Sequence, residues 1–363
     1  MSTMNGNQHT LFITGAAGYV GGMLCDQFSK RDDVVKIIAL DKDPMPELLR
    51  GNPKVRWVQA NCADSTWQAA VEAEKPDVVI HPAWQIREMY GEKKKQWRWN
   101  VDGSIAVFEF AFSHNFVKKL IYFSTVSSYG AEPTNTLDQR FFESDPFREN
   151  VYLYGVEKRV VEERLKDMFA SRKERGSPLP QVFILRPAAI TGPRGRFMMK
   201  ERFGLQAALS GKLSTSFIHR LISLMVSFVP APPLWLRQFI HEDDVADIVD
   251  LISFKGLDGE YEVFNICPPG APVLAKDMAK AVGKRVLPVP PFLVRIAFFL
   301  FWHLTRGRVP TSRGGWKFYS FPVAVDGSRI TKRYGFTYRC ASLDAFRKTA
   351  GRYESAVPDA ERV

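Results

Sequence analysis

The sequence predicts an α/β fold in which helices cover both faces of a doubly wound parallel sheet. Short apolar or β-branched runs alternate with amphipathic stretches through the first half of the chain, as in repeated strand–helix units. A glycine-rich turn directly follows the first run, where such sheets bind phosphate groups. With 363 residues, 45% of them hydrophobic, the chain can bury the core that this fold needs. The expected strands are Thr10–Thr14, Val35–Leu40, Val55–Gln59, Val78–His81, Lys119–Ser124 and Val182–Leu185.

A smaller, discontinuous C-terminal cap is expected beside the sheet domain. The strand–helix alternation stops at Gly192, and Pro230, Pro232 and Pro233 interrupt the stretch that follows. Helix and strand character then returns before a turn cluster at Cys267. The predicted boundaries are 1–191 with 239–266 for the sheet domain, 192–238 with 267–350 for the substrate-binding cap, and 351–363 for a tail.

The apolar run Phe292–Leu304 lies in the predicted cap and has thirteen residues, with Arg295 among them. A bilayer-spanning helix needs about 20 apolar residues, so this run is too short to cross a membrane. We expect a buried cap helix, and the alternative is a helix that lies at a membrane interface. A second apolar segment, Phe217–Val229, offers the same alternatives of pocket lining or peripheral membrane contact.

Charge, cysteines and the amino terminus limit the class of protein. The formal net charge of +11 fits nucleic acid, a membrane surface or an anionic substrate. The densest basic run, Lys93–Lys95, follows Glu92 and is interpreted as a solvated segment, so nucleic acid is not expected as a partner. Four widely spaced cysteines indicate neither disulfides nor a zinc site, and no metal is predicted. The polar amino terminus without a secretory signal predicts a cytoplasmic protein.

The segment Thr14–Gly21, TGAAGYVG, has the spacing of a dinucleotide-binding turn between a strand and a helix. Gly15 makes the sharp turn, Gly18 lets the backbone approach a pyrophosphate, and Gly21 lets the helix pack closely on the strand. Free N–H groups at the helix start then face an anionic ligand, which predicts a Rossmann-type sheet. The predicted cofactor-binding residues of this turn are Gly15, Gly18, Tyr19, Val20 and Gly21.

Asp41 ends the second strand, 20 residues after Gly21. Its carboxylate can accept hydrogen bonds from the ribose hydroxyls and would repel a 2′-phosphate, so NAD is favoured over NADP. Lys42 directly after it weakens that preference. Asp64, just past the third strand, is predicted to bond the adenine amino group, with a turn or helix-capping aspartate as the alternative.

Tyr154 and Lys158 are the expected catalytic pair. Their spacing of four residues places a phenol and an ammonium on one face of a helix. The ammonium, with the positive nicotinamide ring, is expected to lower the pKa of the phenol from about 10 toward neutral pH. Tyr154 then takes the proton of a secondary alcohol while a hydride leaves its carbon. The fifth strand leads to Ser124 and Thr125, where either hydroxyl can bond the reacting oxygen and relay its proton.

Ordered motifs along most of the chain carry a resemblance to a known family. They are TGAAGYVG at Thr14–Gly21, VVIHPAW at Val78–Trp84, YFSTVSSYG at Tyr122–Gly130, YGVEK at Tyr154–Lys158, RPAAITGP at Arg186–Pro193, FIHEDDVA at Phe239–Ala246 and VFNICPPG at Val263–Gly270. In this order they resemble the motifs of the NAD-dependent epimerase/dehydratase branch of the extended short-chain dehydrogenases.

The resemblance implies an enzyme with NAD as its cofactor. By it, Thr125 is the catalytic hydroxyl, Tyr154 the acid/base, and Lys158 both the tuning cation and a ribose ligand. Ser124 belongs to the same motif, and Pro187 is expected near the nicotinamide. A homodimer is common in the resembled family.

Two departures from the family pattern bear on the reaction. Pro82 and Trp84 replace more usual residues after the fourth strand, so a tighter cofactor site is expected there. Val126 and Ser127 follow Thr125 in place of the Asp-Glu pair that 4,6-dehydratases carry, which argues against water elimination.

Three hypotheses about function remain. The first is a nucleotide-sugar 4-epimerase-like reaction, in which a sugar carbon is oxidised and then reduced again on its other face. Its candidate diphosphate ligands are Arg194, Arg196, Lys200 and Arg202. The second is oxidation of an apolar alcohol, as in the related 3β-hydroxysteroid dehydrogenases, because the predicted cap is rich in apolar residues. The third is a binding protein that keeps the dinucleotide fold without its chemistry.

Overall fold

The chain has a mixed α/β fold in a computed structural model that describes residues 8–198, 228–281, 283–348 and 350–357. The strands are His9–Thr14 (β1), Val34–Asp41 (β2), Val55–Gln59 (β3), Val78–His81 (β4), Lys119–Phe123 (β5), Gln181–Pro187 (β6), Ala189–Thr191 (β7), Phe228–Ala231 (β8), Leu236–Arg237 (β9), Phe239–His241 (β10), Tyr261–Ile266 (β11), Val273–Leu274 (β12) and Arg285–Pro288 (β13).

Twelve α-helices lie in the described residues and connect or cover these strands. They are Tyr19–Ser29 (α1), Gln68–Glu72 (α2), Lys93–Trp97 (α3), Gly103–Ser113 (α4), Leu153–Glu174 (α5), Pro193–Met198 (α6), Glu242–Phe254 (α7), Ala275–Ala281 (α8), Pro291–Leu304 (α9), Gly315–Ser320 (α10), Arg329–Tyr334 (α11) and Ser342–Arg347 (α12). None of the helices described has both the length and the hydropathy that crossing a membrane requires.

Seven parallel strands form the central sheet, in the order β11-β6-β5-β4-β1-β2-β3. The order reverses at β1, which pairs with β2 on one side and with β4 on the other. In such sheets a ligand crevice opens at the carboxyl ends of the strands where the order reverses. The predicted doubly wound sheet is confirmed, and each of the six predicted strands matches one of β1 to β6 within two residues at either end.

Both faces of the sheet are buried. Leu11 and Ile13 of β1 belong to one buried apolar cluster, whereas Phe12 between them belongs to another. Successive side chains of a strand point to opposite faces, so each face of β1 has its own core layer. This double burial explains why the central strands are continuous apolar runs rather than alternating ones.

The described part of the cap contains two short strand pairs. β8 pairs with β13 in parallel, and β9 pairs with β12 antiparallel. A small buried cluster around Trp235 and Phe346 lies beside them. The domain boundaries stay a prediction, and residues 217–227 of the second apolar segment lie outside the described residues. Residues 351–357, assigned to the tail, pack on the sheet domain, where the Tyr353 hydroxyl lies 2.7 Å from Gln27 on α1.

The predicted apolar cap helix forms as α9, but the prediction that it is buried is wrong. Within α9 only Val294 and Trp302 are buried. Phe292 and Phe299 are 61% and 62% exposed. A helix that packs on a protein core usually faces it with three to four apolar residues per two turns, whereas α9 buries only two in fourteen residues although it is apolar around most of its circumference. The apolar composition of this run therefore predicted more burial than the structure shows.

A buried ion pair fixes α5 to the sheet. Arg186 on β6 and Glu162 on α5 are both buried, and the guanidinium Nε lies 3.1 and 3.2 Å from the two carboxylate oxygens. Arg186 also donates from Nη1 to the Tyr129 hydroxyl at 2.6 Å. Buried charges need such complete pairing, because each loses its hydration on folding. The helix that carries Tyr154 is thus held in register with β6.

This pair predicts a large difference between two adjacent glutamates. Glu162→Ala leaves the Arg186 charge buried without its partner and should lower the free energy of unfolding by about 3–5 kcal/mol. Glu163→Ala is the matched control, since its 60%-exposed side chain only approaches Arg159 at 4.0 Å, and should change stability by less than about 1 kcal/mol. Denaturant unfolding of both variants measures the difference, and equal losses would contradict the assigned role.

Candidate active site

The glycine-rich turn between β1 and α1 has the geometry that its sequence predicts. Gly15 has φ +63°, and a Cβ added there would lie 2.7 Å from the Ala83 Cα after β4. A Cβ at Gly21 would overlap the Gly15 carbonyl oxygen. Only glycine fits both places, because one position needs a left-handed backbone and the other has no room for a side chain. The turn therefore presents bare backbone to the crevice.

A pocket of about 270 Å³ opens beside this turn at the carboxyl ends of β1, β2, β3 and β4. Residues from the turn and from the ends of three further strands share it, as expected for a long ligand laid across the point where strand order reverses. Its lining includes the predicted residues Gly15, Gly18, Tyr19, Val20, Gly21 and Asp41, together with Asn61, Cys62, Trp84, Gln85, Trp99 and Asn100. The open glycine backbone and the carboxylate at the end of β2 fit a dinucleotide.

Asp41 lines the pocket with hydrogen-bonding capacity to spare. Its two carboxylate oxygens accept from the backbone N–H groups of Ala17 and Asp43, each at 3.0 Å. A carboxylate has about four acceptor sites, so capacity remains for ribose hydroxyls. Burial raises the pKa of Asp41, while these two N–H groups lower it. Lys42 is directed to Asp43, with its ammonium 2.6 Å from that carboxylate, so its charge is already partnered.

Asp64 is placed differently from its predicted role. It does not line the pocket, and its carboxylate accepts a hydrogen bond from Arg98 at the surface. Asn61 and Cys62, two and three residues after the end of β3, line the pocket instead. Their position after a strand end is the sequence signal that could have identified them, because strand ends face the crevice. The adenine-binding role of Asp64 stays a prediction.

Tyr19 joins the glycine-rich turn to a distant motif. Its hydroxyl donates to Glu242 at the start of α7, and Glu242 accepts from the backbone N–H groups of Arg194 and Gly195, each at 3.1 Å. Burial and the neighbouring carboxylate raise the pKa of Tyr19 well above its usual value, so it stays a neutral donor. Arg194 is itself buried in this network, which sets it apart from its predicted role as a diphosphate ligand. The side chains of Arg196, Lys200 and Arg202 lie outside the described residues.

The predicted catalytic residues lie close together at the start of α5 and the end of β5. Thr125 follows β5, its hydroxyl accepts from the Ser127 N–H at 3.1 Å, and it interacts with the Tyr154 phenol, whose pKa it lowers against the effect of burial. Lys158 is buried one turn further along α5 and donates to the carbonyl oxygen of Phe123 on β5. A hydroxyl, a phenol and an ammonium thus lie at one end of the sheet.

The expected lowering of the phenol pKa does not follow from the protein alone. Burial raises the pKa of Tyr154, and the interaction with Thr125 partly counteracts it. Burial also lowers the pKa of Lys158 well below its usual value, while Glu162 and Glu157 raise it. The Lys158 ammonium is engaged elsewhere, by Phe123 and by an aromatic ring. The net effect of the surrounding residues is therefore to raise the pKa of the phenol, not to lower it.

Trp84 supplies that aromatic ring, and it both lines the pocket and contacts the predicted catalytic pair. The Lys158 Nζ lies 3.6 Å from the centre of the Trp84 ring, and the Tyr154 ring meets Trp84 edge-on at 6.4 Å. A cation this close to an indole face is stabilised by the ring's electrons, more so when it is desolvated. The departure that the sequence shows at this position thus places a large aromatic against both catalytic side chains.

Ser124 and Pro187 lie at neighbouring strand ends. The Ser124 N–H donates to the Leu185 carbonyl at 2.7 Å, and its buried hydroxyl has no hydrogen-bond partner in the described part of the chain. Pro187 ends β6 opposite Ile266 of β11. Both roles stay predictions.

His81, at the end of β4, is buried and hydrogen-bonded to Thr14 at 2.7 Å. Burial lowers the pKa of His81 to about 3, so its ring is neutral.

A buried polar group beside the catalytic lysine carries no motif of its own. Glu157 on α5 is fully buried and accepts from Asn100 at 2.7 Å and from Gln96 at 3.2 Å. Asn100 also accepts from the Gln85 N–H at 2.7 Å, which fixes the segment after β4. Burial raises the pKa of Glu157. Its place directly before Lys158 in the sequence gives no hint of these contacts, because they join three separate segments.

Comparison with known proteins decides the family. The model of the NAD dependent epimerase/dehydratase family matches residues 11–267. The chain belongs to this family. Its members are enzymes that use NAD, so this chain is an NAD-dependent epimerase/dehydratase-family enzyme and NAD is its cofactor. The resemblance drawn from the sequence motifs is confirmed.

Relatives with similar sequences are distant. A protein of Mycobacterium tuberculosis (strain ATCC 25618 / H37Rv) with no assigned activity is 23% identical over 343 residues, covering 93% of this chain and 82% of the relative. A dTDP-D-glucose 4,6-dehydratase of Dictyostelium discoideum is 25% identical over 272 residues, covering 70% of this chain and 57% of the relative.

Solved structures of the epimerase/dehydratase family share the fold of the chain. The Bordetella bronchiseptica enzyme WbmG, solved in complex with NAD, has a TM-score of 0.66 at 21% identity, covering 98% of this chain and 96% of WbmG. A UDP-glucose 4-epimerase of Thermotoga maritima, solved with UDP-glucose, has a TM-score of 0.67 at 19% identity, covering 96% of this chain and all of that chain.

The environment of Asp41 predicts tighter binding of NAD than of NADP. Asp41→Asn removes the charge that repels a 2′-phosphate, and should weaken NAD about tenfold while narrowing the gap to NADP. Asp32→Asn is the matched control, since Asp32 is exposed before the amino end of β2, lies outside the pocket, and should change NAD affinity less than about twofold. Titration of both cofactors against the three proteins tests this. Equal affinity of the unaltered protein for the two cofactors would contradict the assignment.

Proposed function

We propose that this enzyme catalyses a nucleotide-sugar epimerase-like reaction, with transient oxidation of a secondary alcohol. The observation that carries the proposal is the placement of the Thr125 hydroxyl next to the Tyr154 phenol at the carboxyl end of β5, with Lys158 buried one turn further along α5. This is the arrangement that a reversible proton transfer at an alcohol oxygen needs. The named activities of epimerases among the structures of similar fold support it.

The protein's own groups have distinct tasks in this reaction. Tyr154 takes the proton of the substrate hydroxyl and later returns it, and Thr125 holds the same oxygen by a hydrogen bond. Lys158 is the cation that favours the phenolate, and its ammonium is held one turn from Tyr154 by the Phe123 carbonyl and the Trp84 ring. When bound, NAD supplies the acceptor and donor of the hydride.

Water elimination is disfavoured by the residues that follow Thr125. Val126 and Ser127 begin the helical turn Val126–Tyr129, and the Thr125 hydroxyl caps this turn by accepting from the Ser127 N–H at 3.1 Å. Neither side chain can act as a carboxylic acid or as its conjugate base. We therefore infer epimerisation or plain oxidation rather than dehydration.

A second candidate is oxidation of an apolar alcohol. It is favoured by the aromatic surroundings of Tyr154, which meets Trp84 edge-on and lies 5.9 Å from the Tyr152 ring. Tyr152 in turn packs against Phe318 of α10 at 5.0 Å. Aromatic walls of this kind suit a flat apolar substrate as well as a sugar face.

A homodimer and a cytoplasmic location stay predictions. Sedimentation tests the first, and cell fractionation tests the second.

The fate of the hydride distinguishes the two candidates. The purified enzyme with NAD is mixed with a panel of UDP- and dTDP-sugars, and separately with hydroxysteroids. An epimerase returns the hydride, so a new sugar epimer accumulates without net NADH. Accumulation of NADH in proportion to turnover of a hydroxysteroid would establish the second candidate and overturn the first.

Tyr154→Phe is expected to abolish most turnover while folding and NAD binding stay nearly unchanged. Removal of a general acid–base group costs about 10² to 10⁴-fold in rate. Lys158→Met should lose turnover and also weaken NAD, since Lys158 has both tasks, and Thr125→Val should lose less than Tyr154→Phe. Tyr152→Phe is the matched control on the neighbouring ring. A Tyr154→Phe enzyme with more than about a tenth of the original kcat would show that another group is the acid/base.

A further inference from the structure

The helix α9 presents a continuous apolar surface to the outside of the molecule. Helical side chains advance by about 100° per residue, so six of the seven exposed apolar residues of α9 fall within an arc of about 140°, and Phe301, which is 49% exposed, lies outside that arc. We name this surface the α9 face. Its residues are Phe292, Leu293, Ile296, Phe299, Leu300 and Leu304, which are between 45% and 79% exposed.

The opposite side of α9 attaches the helix to the enzyme. Trp302 packs against Tyr90 with ring centres 5.5 Å apart, and Phe298 packs against Tyr319 of α10 at 5.8 Å. Val294 is buried on the same side. The helix is therefore fixed to the protein along one side, and the α9 face is directed away from it. Monomeric soluble proteins rarely leave an apolar surface of this extent uncovered.

The segment of chain that contains α9 has only basic charged residues. From Met278 to Val325 the sequence has eight lysines and arginines and no aspartate or glutamate, so this segment carries eight of the eleven net positive charges. Arg285 precedes α9, and Arg306 and Arg308 follow it. All three are exposed, and none has a carboxylate partner among the residues that the structure describes. Free positive charges beside an apolar helix face complement a surface that is apolar and anionic.

The α9 face is also connected to the catalytic residues. The chain after α9 returns to the active site at Gly314, where an added Cβ would lie 2.6 Å from the Tyr152 backbone nitrogen. Tyr152 lies against the Tyr154 ring. The segment that follows α9 therefore contacts a residue next to the predicted acid/base.

We propose that the α9 face binds the surface of an anionic lipid bilayer, with α9 parallel to the membrane plane and without crossing it. The apolar residues of the face enter the boundary between headgroups and acyl chains. Arg285, Arg306 and Arg308 bind the anionic headgroups on either side of the helix. At fourteen residues, α9 has the length of an interfacial helix and not of a spanning one.

The test is sedimentation of the full-length enzyme with vesicles of phosphatidylcholine plus phosphatidylglycerol, and with vesicles of phosphatidylcholine alone. The unaltered protein should bind the anionic vesicles, and binding should weaken as salt is added. Phe292→Ser with Phe299→Ser should weaken binding at least about tenfold. Arg306→Ala with Arg308→Ala should weaken it about twentyfold on anionic vesicles and much less on neutral ones.

Phe142→Ser is the matched control, because Phe142 is also a half-exposed phenylalanine but lies beside Arg329 and Asp326. It should bind anionic vesicles as the unaltered protein does. All the replaced side chains are exposed, so thermal unfolding of each variant should match the original. NAD affinity without vesicles should also be unchanged, which makes this test independent of the assigned reaction.

Two outcomes would overturn the proposal. One is an unaltered protein that does not bind anionic vesicles, or a double phenylalanine variant that binds them equally well. The other is a dimer in sedimentation velocity that becomes a monomer in the double phenylalanine variant, with no vesicle binding by either protein. In that case the α9 face is covered by a second copy of the chain.

Discussion

The close approach of bare backbone at the glycine-rich turn is the constraint on which the site depends. Gly15 lies against the chain after β4, and Gly21 lies against the Gly15 carbonyl, so no side chain fits at either position. This packing sets α1 directly behind β1 and leaves its N-terminal backbone facing the crevice. The hydrogen bond from Tyr19 to Glu242 then joins the turn to α7, which lies 223 residues later in the sequence. The shape of the cofactor pocket beside this turn is thus set by how closely the backbone packs there.

The catalytic end of the crevice is held by buried charge. Arg186 and Glu162 join β6 to α5, and the same glutamate raises the pKa of Lys158 against the effect of burial. Burial favours the neutral form of the lysine. Phe123, Trp84 and Glu162 act against that effect with a carbonyl, an aromatic face and a carboxylate, each of which favours the charged form. Structural stability and chemical tuning therefore rest on the same few contacts.

The cap combines two surfaces of different chemistry. Towards the crevice it contributes aromatic contacts to Tyr152, and away from the crevice it exposes the α9 face within a segment free of acidic residues. A reaction at an alcohol carbon needs only the first surface. The second is costly for a protein that remains in water, since exposed apolar area is unfavourable there. The basic residues next to the α9 face indicate that a surface both apolar and anionic would offset this cost.

The sequence by itself determined the strands of the central sheet, the glycine-rich turn, Asp41 and the Thr125, Tyr154 and Lys158 set. Each depends on local spacing: continuous apolar runs, glycines where a side chain cannot fit, and two groups four residues apart on one helix. Only the tertiary structure decided that Asp64 pairs with Arg98, that Arg194 is buried on Glu242, that Trp84 covers Lys158 and that α9 is exposed. These contacts join segments far apart in the chain, 223 residues in the case of Tyr19 and Glu242. The spacing of apolar residues in the sequence predicts which residues can be buried. How the helices and strands pack against one another decides which other residues bury them.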